Sequence, residues 1–75
     1  MATVSIDNVA QIGEMAGLVW HTLEEHGPQS LAKLVKLIDA PRDAIMQALG
    51  WLAREDKITI DETSRGKIVT LRRDI

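Results

Sequence analysis

Gln47 and Arg54 stand seven residues apart, two helical turns, so on a helix they project from one face. Both side chains can read base edges: the amide pairs bidentately with adenine and the guanidinium with guanine. Gly50 lies between them on that face, and Arg42 precedes them at the N-terminal turn. A helical glycine costs roughly 1 kcal/mol relative to alanine, so Gly50 asks for a reason such as clearance for a phosphate backbone or another protein. Asp43 shares the face and would oppose phosphates. Further cations close the chain. Arg65, Lys67, Arg72 and Arg73 lie between Thr63 and Arg73 with no acid among them. Arg65 and Lys67 flank Gly66, so at a hairpin tip they would reach a minor groove or adjacent phosphates. The alternatives are a solvated helix face for the first group and protection of a sheet edge for the second.

Other chemistry has no constellation behind it. There is no cysteine, hence no disulfide and no thiolate metal site. His21 and His26, five apart, do not share a helix face, and no carboxylate completes a ligand set with them. His26 suits a helix C-terminus, where positive charge is favoured. His21 falls among Glu14 and Glu25 on a solvent face. Glu24 with Glu25, and Asp61 with Glu62, are chain neighbours and point apart. No Ser/His/Asp set and no Gly-rich phosphate loop occurs. The expectation is a protein that is not an enzyme, with no cofactor, no metal and no small-molecule ligand.

The elements that must position these groups fit one domain spanning residues 1–75. A chain this short buries a modest core and gains from oligomerisation. Its net charge of −2 conceals a division: residues 1–27 hold four acids and no Lys or Arg, whereas residues 28–75 hold nine bases and seven acids. A whole-chain basic footprint of the kind common in nucleic-acid binding is absent. The apolar runs are too short to span a membrane. The opening MATVSIDNVAQ has neither the basic nor the apolar region of a signal peptide, so a cytoplasmic location is expected.

Three helices and two strands follow from the patterning. The first helix runs from about Asn8 to His26, with Asp7 or Asn8 as cap and Asn8 with Gln11 resembling a capping box. Gly27 and Pro28 stop it. Val9, Ile12, Ala16, Val19, Trp20 and Leu23 form its core arc, with Ala10, Gly13 and Gly17 as a strip of small residues beside it. The second helix starts after Ser30 and buries Leu31, Leu34, Val35 and Ile38, while Lys33 and Lys36 point away. The third covers roughly Pro41 to Glu55, with a core stripe of Ile45, Ala48, Leu49 and Leu52 and Trp51 on its flank. Ile58 and Ile60, then Val69 and Leu71, alternate as two strands around a Thr63-Ser64-Arg65-Gly66 loop with Gly66 at positive φ. Ile68 falls on the exposed side of this alternation.

Two helices joined by a three-residue turn, with a helix before and a β-hairpin after, make an α+β winged helix-turn-helix: three helices followed by a two-stranded β-hairpin wing. The segments IGEMAGLVWHTLEEHGP and MQALGWLAREDKI resemble those of a small stand-alone winged helix-turn-helix family of bacteria and archaea with no assigned biochemical function. The resemblance runs from about Ile12 to Leu71. It implies the fold and a DNA-binding or regulatory role, and supplies neither ligand nor target. Such turns usually carry Gly where Asp39 stands and Ser or Thr near Pro41. Aspartate tolerates the left-handed conformation, but the missing hydroxyl removes a common helix-capping group.

In this fold the third helix enters the major groove with the face opposite the core. The candidate nucleic-acid-binding residues are therefore Arg42, Gln47, Gly50, Arg54, Arg65 and Lys67, with double-stranded DNA as partner and transcriptional control as role. Met15 and Leu18 lie outside the core arc of the first helix and suggest a homodimer interface. The Gly13 and Gly17 strip either admits another backbone there or packs within the chain. The alternative function is a protein-interaction module that keeps the fold and binds DNA weakly or not at all.

Overall fold

A computed structural model of the chain describes residues 6–64 and 66–72, with side chains described from Asn8 onward. The element order is α1 (Ile6–His26), β1 (Gln29–Ser30), α2 (Leu31–Ile38), α3 (Arg42–Arg54), β2 (Ile58–Thr63) and β3 (Gly66–Leu71). The helices pack around one apolar centre, and the antiparallel sheet, in the order β1-β3-β2, closes it from the side.

The first helix starts two residues before the expected point. Asn8 is inside α1 rather than at its cap, so the capping-box reading with Gln11 does not hold. Asparagine costs a helix well under 1 kcal/mol, which is too little to stop hydrogen bonding from running back to Ile6. The other end behaves as expected: Gly27 takes φ 78° and donates its N–H to the Leu23 carbonyl at 2.8 Å. Ala16, Val19 and Leu23 are buried and Ile12 and Trp20 half-buried, but Val9 stays 41% exposed. With 21 residues, α1 overhangs the 13-residue α3 against which it packs.

The two-stranded wing, β2 with β3, is as expected, and a third strand, β1, joins its sheet. Gln29 pairs with Val69 and Ser30 with Ile68, which places β3 between β1 and β2. Ser30 serves twice. At φ −71° and ψ 157° it has the extended backbone that an N-cap requires, and this same conformation lets it pair with β3. Its Oγ accepts the Lys33 N–H at 3.1 Å. Ile68, expected on the exposed side, is half-buried because β1 lies beside it. Ile60, expected to face inward with Ile58, is 38% exposed. Ile58, at 4%, joins the core, while the hairpin then runs out past it. The free long edge is β2, so β3, which carries Lys67, is not an edge strand along the stretch paired with β1.

Two aspartates take left-handed positions where glycine is the usual choice. Asp39 (φ 58°, ψ 49°) ends α2 and donates its N–H to Val35 at 3.1 Å, which makes the tight turn into α3. Asp56 (φ 60°) ends α3 in a Schellman arrangement: its N–H reaches Ala53 at 3.1 Å, and that of Lys57 reaches Leu52 at 2.9 Å. Pro41 precedes α3 with no side-chain cap, as the absent hydroxyl implies. Ile45, Ala48, Leu49 and Leu52 are all buried, matching the stripe read from their spacing.

Ser30→Ala removes the cap of α2 beside the β1–β3 pairing. It is expected to lower the unfolding free energy by about 1 kcal/mol, read as a fall in the urea midpoint. An unchanged midpoint would show that the cap contributes nothing.

Candidate nucleic-acid interface

Burying Ile45, Ala48, Leu49 and Leu52 fixes the rotation of α3 about its axis and turns Asp43, Gln47, Gly50 and Arg54 outward. Arg42, Gln47, Gly50 and Arg54 are all exposed. Among the described residues, Arg42, Gln47 and Arg54 make no side-chain hydrogen bond or ion pair, so their donors are available. By helical geometry Arg42 stands to one side, on the flank with Met46 and Ala53, while Gln47 and Arg54 line up two turns apart. Gln47 has a second setting: with Ala44 it borders a groove between α3 and the first half of α1. Among the described residues nothing lies within 4 Å of where a Gly50 Cβ would stand, so no contact there requires that glycine.

The hairpin presents less free charge than its composition suggests. Lys67 Nζ lies 3.3 Å from Glu62 Oε1, a pairing set by the β2–β3 register that puts these residues opposite each other. Arg72 and Asp56 are 3.5 Å apart, and Lys57 and Glu55 3.6 Å. Such exposed pairs add little stability, but they cancel charge locally. Arg65 and Arg73 lie outside the described residues. By contrast Lys33, Lys36, Arg42 and Arg54 make no ion pair among the described residues. The stretch from α2 to α3, residues 31–54, carries four bases against two acids, whereas residues 55–72 carry four of each. The pairing partners became visible only with the strand register, which the sequence alone does not give.

The proposed dimer residues differ in setting. Met15 packs partly against the core of its own chain, while Leu18 is 48% exposed. Both border the α1–α3 groove, which encloses about 620 Å³ together with Asn8, Gln11, Ile12 and Glu14. The strip of small residues splits. A Cβ on Gly13 would stand 3.7 Å from Cζ2 of Trp51, so the indole lies over Gly13. Gly17 has nothing above it among the described residues. Trp51 and Trp20 thus border one shallow groove of about 360 Å³, a convergence that periodicity could not reveal. His21 meets Glu24 at 3.9 Å rather than Glu14 or Glu25, and its ring stands edge-on to Trp20 at 5.3 Å. Among the described residues no three His, Cys, Asp or Glu side chains gather as a metal site, and no helix is long and apolar enough to cross a membrane.

Comparison with known proteins agrees with this architecture. A family model described as a winged helix-turn-helix domain (DUF2582) matches residues 7–71. The uncharacterised protein MJ1608 of Methanocaldococcus jannaschii is 35% identical over 69 residues, covering 88% of this chain and 97% of that protein. The solution NMR structure of protein BT2368 from Bacteroides thetaiotaomicron is similar at a TM-score of 0.76 with 31% identity, covering 83% of this chain and 76% of that one.

Since no atom of the described residues occupies the space above Gly50, Gly50→Ala is expected to raise stability by up to about 1 kcal/mol, measured by urea unfolding. A loss of stability would mean that the glycine serves the fold after all.

Proposed function

The chain belongs to the DUF2582 family of winged helix-turn-helix domains, and from that premise we propose that it binds double-stranded DNA and acts in transcriptional control. One observation carries the reading: the outward face of α3 offers Gln47, Gly50 and Arg54 exposed, with both polar side chains uncommitted, opposite a wholly apolar buried face. With α3 in the major groove, Gln47 and Arg54 read base edges. Arg42 meets a phosphate at the N-terminal turn, and Gly50 gives the duplex clearance. The hairpin that carries Arg65 and Lys67 lies against the flanking backbone, where Glu62 offsets the charge of Lys67. A homodimer formed through Leu18 and Met15 would double this small contact set and match two half-sites. Such a protein works in the cytoplasm.

A second reading, a protein-interaction module, is favoured by the groove beside Leu18 and by the net charge of −2. The two readings part on simple measurements. Gln47→Ala combined with Arg54→Ala is expected to weaken duplex binding at least about tenfold, since a good bidentate contact discriminates by roughly 1–3 kcal/mol. Unchanged affinity in fluorescence anisotropy would remove α3 as the reading element. Leu18→Glu is expected to halve the mass seen by light scattering, and an unaltered mass would reject that interface.

A further inference from the structure

We propose that the main phosphate-backbone contacts of this domain come from Lys33 and Lys36 on α2, and not from Lys67 of the hairpin. The inference rests on the duplex-DNA reading and adds to it which residues supply the electrostatic part of the affinity. The described cations fall into two groups. Lys57, Lys67 and Arg72 each have a carboxylate within 3.6 Å. Lys33 and Lys36 are exposed and make no ion pair among the described residues. A phosphate that approaches Lys67 also approaches the exposed Glu62, so little is gained; one that approaches Lys33 or Lys36 meets uncompensated charge.

The fold positions these two lysines. They are three residues apart on one helix and so are neighbours on its surface. Leu31 and Leu34 bury the opposite side of α2. The Ser30 hydroxyl holds the main-chain N–H of Lys33, which orders the first turn and leaves the ammonium free. Lys36 is in the last turn of α2, just before the Asp39 turn that leads to Arg42 and α3. When the second helix of such a motif lies in the major groove, its first helix crosses the DNA backbone; here that first helix is α2. α1, with four acids and no Lys or Arg, offers no cation to the phosphates. Lys36 could also serve α2 alone, by meeting the partial negative charge of its C-terminus. That role would show in stability and not in salt dependence.

The test is a series of anisotropy titrations against a random-sequence duplex at several salt concentrations. The proteins are the wild type, Lys33→Gln with Lys36→Gln, Lys33→Arg with Lys36→Arg, and Lys67→Gln. Each lost phosphate contact lowers the steepness of log affinity against log salt by about 0.9. The glutamine pair is therefore expected to lower it by about 1.8, the arginine pair to keep it, and Lys67→Gln to leave it nearly unchanged. Urea unfolding of each variant controls for stability. A wild-type slope retained by the glutamine pair, or lowered as much by Lys67→Gln alone, overturns the assignment while the duplex reading stands. Absence of wild-type binding even at low salt overturns both.

Discussion

The packing of α3 against α1 is the constraint on which the rest depends. The two helices share the most extensive helix–helix contact in the chain, through the cluster that holds Val19 and Leu23 with Ile45, Ala48, Leu49 and Leu52. Truncating a side chain such as Ile45 in a core this small would cost about 2–5 kcal/mol, a large part of what a small domain has. The same burial sets the functional geometry. A helix with four apolar residues on one side has a single favourable rotation, and that rotation puts Gln47, Gly50 and Arg54 outside. Fold stability and the outward presentation of the proposed reading face are therefore one interaction seen from two sides.

The ends of the helices set the angles around that contact. Asp39 and Asp56 hold left-handed backbone at the exits of α2 and α3, at some cost in strain that aspartate bears better than most residues. Asp39 makes the short corner between α2 and α3, and Asp56 turns the chain from α3 into β2. Ser30 caps α2 and pairs with β3, so the start of the helix-turn-helix is tied to the sheet. The hairpin follows the helices as a consequence of these joints.

The legible parts of the fold were those written in an unambiguous period. The stripe at Ile45, Ala48, Leu49 and Leu52 has no competitor on its helix, and every member is buried. Helix α1 was harder because it is apolar on more than one face: Met15 packs partly on the core, Leu18 stays out, and Val9 overhangs. Strand β1 could not be read, since two residues carry no alternation and Ser30 announces only a cap. The end of α3 was placed within a residue, but its Schellman geometry was hidden because Asp56 stands where glycine is usual. The partnership of Gly13 with Trp51 needed the crossing of two helices. For the candidate site, composition showed cations near the hairpin tip, but only the register showed Glu62 opposite Lys67. That pairing moves the weight of positive charge onto the helix-turn-helix itself.

In ALGWLARED the two neighbours part: Trp51, still 36% exposed, lays its indole over Gly13, and Gly50 opens outward with nothing among the described residues above it. The central claim is that the outward face is where nucleic acid binds. The most direct test is an NMR titration of the labelled protein with a short duplex at low salt, following backbone and side-chain amides. The account predicts the largest shifts at Arg42, Gln47, Gly50 and Arg54, well above any at Leu18 across the shared groove. Shifts confined to the Leu18 groove, or none at all, would contradict it.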